Sequence, residues 1–194
     1  MHYAAYCGLC ASTSTSTKIF QLICLIMSGF GIISGSHKLF CHRSYTANKR
    51  LRALLIFFHT ISANFSVYTW ARFHRSHHKW TDTNADITNV KRGFLFSHGG
   101  WMLTEYHPEV EVFAKKLDCS DMTADRLIMF QHKYFYPVTA VIGFLLPTWF
   151  CWFFFGESFL NSWNLNAFRY LFGIHQGLFS SSLSHFYGNK PYDK

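Results

Sequence analysis

Between Lys18 and His37 the chain reads IFQLICLIMSGFGIISGS, without one charged residue. Wound as an α-helix, a run of this length spans the roughly 30 Å hydrocarbon core of a bilayer. Lipid offers the backbone no water, so the run must bond its own amides there, as a helix does. Residues 134–155, YFYPVTAVIGFLLPTWFCWFFF, repeat the pattern, and their Pro137 and Pro147 are tolerated better in membrane helices than in soluble ones. Residues 159–185 are a third candidate span, polar along one stripe (Asn161, Asn164, Arg169, His175, Gln176, Ser181) and apolar elsewhere. Residues 54–70 are apolar but interrupted by His59 and Asn64. The composition is 49% hydrophobic and 20% aromatic, yet the mean hydropathy is only +0.06, so a substantial polar part accompanies the apolar segments. The expected fold is all-α, an integral membrane helix bundle.

Charge orients it. Lys38, Arg43, Lys49, Arg50 and Arg52 follow the first run, and Arg72, Arg75, Lys79, Lys91, Arg92, Lys115, Lys116, Arg126 and Lys133 follow residues 54–70. Basic loops stay in the cytoplasm, so both flanks of 54–70 lie on that side and the segment is interfacial or re-entrant. Residues 156–158, GES, carry no basic residue and face the lumen; three crossings then bring Lys190 and Lys194 back to the cytoplasm. The first nine residues have no charged stretch before an apolar core, so no cleavable signal peptide is expected. The net charge of +8 is spread without a basic tract or recognition helix, which excludes nucleic acid as a partner. The six cysteines are scattered and read as reduced, packed thiols, with CGLC at 7–10 a solitary C-x-x-C. STSTST at 12–17 reads as a turn without a role.

The polar chemistry lies in histidines. His74, His77 and His78 stand at i, i+3 and i+4 and share one helix face. His37 and His42 are five apart, which on a straight helix turns them roughly 140° from each other. They therefore serve different metals or sit where the helix bends. His185 closes the last span on the cytoplasmic side. Clusters of imidazoles at a membrane boundary point to iron, zinc or copper. No E-x-x-H occurs, which disfavours a carboxylate-bridged di-iron bundle and leaves a histidine-only centre. His59, His98, His107, His132 and His175 stand outside these groups and read as structural or interfacial.

The stretches SGSHKLFCHRSY, VYTWARFHRSHHKWTDTNAD, RGFLFSHGGWML and SHFYGNKPYDK together resemble the membrane acyl-CoA desaturases, the stearoyl-CoA 9-desaturase group and its insect members above all. The resemblance covers nearly the whole chain. It implies a cytoplasmic cap holding a di-iron site, residence in the endoplasmic reticulum membrane, and electrons from cytochrome b5. The implied activity removes two hydrogens from a long-chain saturated acyl-CoA, using O2. Carried over residue by residue, His37, His42, His74, His77, His78 and His185 match iron ligands, Arg72 matches a contact to the CoA head group, and Trp70 a tunnel-side aromatic.

Departures accompany the likeness. The family continues past KPYDK to another H-x-x-H-H box that this sequence does not reach, so a C-terminally truncated domain with three ligands missing is expected. Ser181 stands where the family holds an iron-bound water with asparagine, and Leu178 where it has a tryptophan. Phe73 replaces a CoA-contacting aspartate, and Glu105 and Tyr106 replace a basic pair. The alternative is accordingly a catalytically inactive desaturase-like membrane protein. A membrane hydroxylase would share the histidine boxes but not GNKPYDK or RGFLFSHGGW. The topology is open to test: a cysteine placed at position 157, with the native cysteines replaced, should resist a membrane-impermeant thiol reagent in sealed microsomes. Labelling there before detergent is added contradicts a lumenal 156–158.

Overall fold

The computed structural model describes residues 1–187. The GNKPYDK motif and the expected cytoplasmic Lys190 and Lys194 lie outside the described residues. Among the described residues every regular element is helical, no strand forms and no disulfide joins the cysteines. The chain divides into two compact units.

The first unit comprises Met1–Ala71 and Cys119–Ile174. Helix α1 (His2–Cys10) is followed by Ser14, whose hydroxyl accepts the Thr17 N–H at 3.2 Å and caps α2 (Thr15–Phe30). Glu157 accepts the Ser14 N–H at 3.0 Å. The STSTST run is thus a helix start, a role its composition alone did not disclose. Helix α2 passes without a break into the wider coil Gly31–Cys41, where amides bond five residues back. Over residues 15–35 the inward face of this long helix is small or polar: Thr17, Gln21, Cys24, Ser28, Gly31 and Gly35 are buried, while Ile19, Leu22, Ile23, Ile26, Phe30 and Ile33 are exposed. That is the reverse of a water-soluble amphipathic helix. Thr15–Cys41 and Phe135–Phe154 are the two helices long and apolar enough to cross a bilayer by length and composition among the described residues.

Gly31 and Gly35 lie one turn apart on the buried face, and α3 (Lys49–Ile61) packs on them. A Cβ at Gly31 would fall 2.1 Å from the His59 backbone nitrogen, so only glycine permits the approach. The apolar segment 54–70 is not one helix. It breaks after Ile61, with Ala63 and Phe65 at φ 54° and 59°, and restarts as α4 (Val67–Lys79), whose first N–H is taken by Gln131 Oε1 at 3.0 Å. His59, fully buried, accepts from or donates to Ser36 Oγ at 2.7 Å through Nδ1 and meets the Phe65 carbonyl at 3.1 Å through Nε2.

Helices α7 (Ser120–Thr123) and α8 (Arg126–Lys133) follow in the same unit, held by the Arg43–Asp121 bridge at 2.8 Å and by Arg52 paired with Asp125. Beyond them α9 (Phe135–Thr139) widens over Ala140–Leu145 before α10 (Leu146–Phe154). The widened turn turns the Gly143 and Phe144 carbonyls toward side-chain donors. Asn166 and Arg169, on the long helix α11 (Phe159–Phe186), reach in to satisfy them. Arg169 is 3% exposed and donates to Gly143 O at 2.9 Å, Ile61 O at 3.1 Å and Asn166 Oδ1 at 2.8 Å. A buried cation is held here by carbonyl dipoles, one of them at the C-terminal end of α3.

The second unit comprises Arg72–Asp118 and the chain from His175. It contains the remainder of α4, α5 (Phe94–His98), α6 (Pro108–Ala114) and the end of α11. Its interior mixes apolar residues, Ala85, Ile87, Trp101, Val110 and Ala114, with the buried polar residues Ser76, Asp86, Asn89 and Ser97.

The glycine contact sets an expectation. Gly31→Ala should lower the thermal midpoint of the detergent-solubilised protein, at a cost of about 1–3 kcal/mol for the forced separation. Gly29→Ala meets nothing within 4 Å and should be neutral or stabilising. Equal midpoints for the two variants would contradict the contact.

Candidate metal centre

Within the first unit, the wide coil decides how His37 and His42 relate. The His42 N–H bonds the His37 carbonyl at 2.9 Å, five residues back, and the Ser44 N–H bonds the Lys38 carbonyl at 3.0 Å. A turn one residue longer than the α-helical turn brings residues five apart back into register. The two rings meet edge to face with centroids 4.4 Å apart and Nε2 atoms at 3.1 Å. The 140° separation of a straight helix does not apply. Trp70 lies against the same His37 ring, centroids 6.3 Å apart.

In the second unit, α4 sets His74 and His78 one turn apart with Nε2 atoms 3.0 Å from each other. His77 packs beside both, and the His185 ring lies 5.3 Å from the His77 ring. His37, His42, His74 and His78 are described residues whose ring nitrogens could hold a metal ion. Each of the two pairs has the bite of a chelate. With metal–nitrogen bonds of about 2.0–2.1 Å, nitrogens this far apart subtend roughly 95–100° at an ion, between the octahedral and tetrahedral values.

One carboxylate enters beside the histidines. Asp86, 3% exposed, faces His77 Nδ1 at 2.9 Å through Oδ2, which also accepts the Asp82 N–H at 3.0 Å. Its Oδ1 accepts the Thr88 N–H at 2.9 Å and the Thr88 hydroxyl at 3.0 Å. Burial alone would raise the Asp86 pKa, but the His77 contact and the two backbone N–H groups outweigh it and hold the carboxyl below its usual range. An ionised Asp86 fixes the proton of His77 on Nδ1 and leaves the Nε2 lone pair for a metal. Asp86 stands behind His77 and, among the described residues, is not one of the grouped side chains that could hold a metal ion. The E-x-x-H pattern missed this residue because Asp86 follows the box through a loop instead of sharing its helix. The donor set suits a transition metal such as iron: neutral imidazoles with one oriented by a buried anion.

The other candidate residues are placed as follows. Arg72 Nη2 donates to Glu111 Oε2 at 3.0 Å. Phe73 meets Tyr106 edge to face at 5.9 Å, and burial with the Glu111 charge raises the Tyr106 phenol pKa. Ser181 turns its hydroxyl back to the Leu178 carbonyl at 3.0 Å. Leu178 itself is buried and Glu105 is exposed. Of the histidines outside the boxes, His132 Nδ1 lies 2.7 Å from Ser66 Oγ ahead of α4, and His107 caps α6 by accepting the Glu109 N–H at 3.3 Å. His98 and His175 were not linked by any sequence pattern, and the structure puts their ring nitrogens 3.1 Å apart.

Comparison with known proteins gives this geometry a family. The model of the fatty acid desaturase family matches residues 16–194. The chain is 40% identical over 197 residues to the (11Z)-hexadec-11-enoyl-CoA conjugase of Bombyx mori, and 42% identical over 200 residues to stearoyl-CoA desaturase 2 of Rattus norvegicus. It is 40% identical over 199 residues to the acyl-CoA Delta(11) desaturase of Trichoplusia ni. All three alignments take in 100% of this chain but only 60%, 55% and 56% of the relatives, so the chain spans a little over half of their length.

The orientation of His77 yields an expectation. Asp86→Asn removes the anion and should weaken metal retention against a chelator about 10- to 100-fold, with the helical circular dichroism unchanged. Unaltered retention would mean that His77 is not a ligand oriented by Asp86.

Proposed function

Because this chain belongs to the fatty acid desaturase family, we propose that it carries out, in its full protein, the oxygen-dependent desaturation of a long-chain saturated acyl-CoA of the stearoyl-CoA 9-desaturase type. The observation that carries this is the pair of imidazole chelates, His37 with His42 and His74 with His78, together with His77 oriented by Asp86. We assign iron to His37, His42, His74, His77, His78 and His185. When bound, the metal supplies the activation of O2 that hydrogen abstraction from an unactivated methylene requires.

The protein's own part is to hold and to enclose. Asp86 bonds His77 through Nδ1 and so turns Nε2, the other ring nitrogen, toward the metal. Trp70 offers an apolar wall beside His37, suited to an acyl chain, and Arg72 a cation suited to the CoA head group. No side chain acts as general acid or base. Cytochrome b5 is the electron donor in this proposal, and the endoplasmic reticulum bilayer the setting. The outward apolar face of Thr15–Cys41, over a buried face of small and polar residues, supports membrane insertion. Spans at 19–36, 134–155 and 159–185, with 54–70 interfacial, remain the proposed topology.

A second reading, a desaturase-like membrane protein without catalysis, is favoured by one observation: Arg72 is engaged by Glu111, and Phe73 with Tyr106 occupies neighbouring positions where the resemblance implies polar contacts to CoA. Microsomes of a desaturase-deficient yeast expressing the protein discriminate the two. Oxygen-dependent conversion of stearoyl-CoA to a monounsaturated product, lost in His77→Ala, supports the enzyme. Bound iron without any product supports the inactive protein. If the enzyme reading holds, Glu111→Gln should free Arg72 and lower KM for acyl-CoA about five- to tenfold at unchanged kcat, the equivalent of roughly 1–1.4 kcal/mol.

A further inference from the structure

The second unit contains a third imidazole pair with the same spacing as the two box pairs. His98, at the end of α5, and His175, on α11, place Nε2 and Nδ1 respectively 3.1 Å apart. Their rings are nearly parallel, 21° between planes with centroids at 5.3 Å, and both are half-buried. Phe94 stacks on His98 at 5.7 Å and Phe179 tilts against it at 4.7 Å, so apolar walls flank the pair.

Hydrogen bonding fixes the tautomer of His98. Ser182, fully buried, donates its hydroxyl proton to the Leu178 carbonyl at 2.8 Å. That hydroxyl can then only accept from His98 Nδ1, 3.0 Å away. Neutral His98 thus carries its proton on Nδ1 and aims the Nε2 lone pair at His175. Burial, and secondly the neighbouring His175, lower the His98 pKa and favour that neutral form. A serine behind His98 does for this ring what Asp86 does for His77: it holds the far nitrogen so that the near one is a ligand.

We propose that His98 and His175 form a separate binding site for a first-row divalent transition ion such as Zn2+ or Co2+, oriented by Ser182. On binding, His175 gives up the Nδ1 proton it donates to His98 Nε2 and carries its proton on Nε2 instead, so both rings stay neutral, no proton is released overall, and water completes the ion's coordination. Bonds of about 2.0–2.1 Å to nitrogens at this separation again subtend roughly 95–100°. Imidazole donors without thiolate or carboxylate suit this class of ion and not calcium or magnesium. The site closes α5 onto the end of α11 with ligands distant in sequence, so the ion stabilises the second unit in proportion to its saturation. The proposal does not depend on which metal the six box histidines hold.

Cobalt titration of the purified full chain, read by its visible d–d absorption and by elemental analysis, provides the test. A variant with His37, His42, His74 and His78 all changed to alanine should still bind one equivalent of Co2+. Adding His98→Ala or His175→Ala should abolish that binding, and adding Ser182→Ala should weaken it about tenfold. In the otherwise unaltered chain, His175→Asn should lower the Zn2+ content by one equivalent while metal held by the box histidines is retained. That single substitution keeps the test open if the multiple variant does not fold. An unchanged metal content in His175→Asn overturns the site, as does a folded quadruple variant that binds no Co2+.

Discussion

A single backbone hydrogen bond, from the His42 N–H to the His37 carbonyl at 2.9 Å, governs the histidine chemistry of the first unit. It spans five residues, and it is the last of a series along Gly31–Cys41. An α-helix through the same residues would point the two imidazoles in different directions. The wide coil brings them edge to face, and neighbouring contacts hold it in that form. Ser36 Oγ is bound to the buried His59, Tyr45 Oη donates to the Ser34 carbonyl at 2.6 Å, and Ser44 Oγ donates to the Lys38 carbonyl at 3.1 Å. The coil can form because Gly31 and Gly35 let α3 approach until its backbone occupies the space of a side chain.

The same currency, backbone carbonyls, explains the buried Arg169. A guanidinium deep among apolar helices with no carboxylate beside it would be costly. Here the widened turn at Ala140–Leu145 and the end of α3 present the carbonyl oxygens of Gly143 and Ile61 to the planar guanidinium, while Asn166 donates to Gly143 and Phe144. Cation and carbonyls each remove the other's desolvation penalty. Both widened coils in the first unit therefore have a side-chain partner that accounts for them, histidine in one case and arginine in the other.

Electrostatics also governs the surroundings of Arg72. Phe73 and Tyr106 pack edge to face, while Arg72 is paired with Glu111. An exposed ion pair of this kind contributes little to stability, so Glu111 acts mainly on the availability of Arg72. The histidine pairs stand at chelating distance, while Phe73 and Tyr106 make an aromatic contact and Arg72 is engaged by a carboxylate.

Residue spacing alone determined much of this protein. The uncharged runs fixed two long apolar helices, the i, i+3, i+4 spacing put His74, His77 and His78 on one face, and scattered cysteines excluded a disulfide framework. These are local consequences of helical periodicity and of apolar length. What periodicity could not supply were departures from it and contacts across the sequence. The edge-to-face meeting of His37 and His42 needs a turn of non-standard width, which depends on α3 seating against Gly31. The break of residues 54–70 at 62–66 needs two residues at positive φ that no glycine announces. Asp86 behind His77, Ser182 behind His98, and the meeting of His98 with His175 are set by loops and by separate helices. Only tertiary packing decides them, because a hydrogen bond is specified by where its two groups are brought and not by either residue alone.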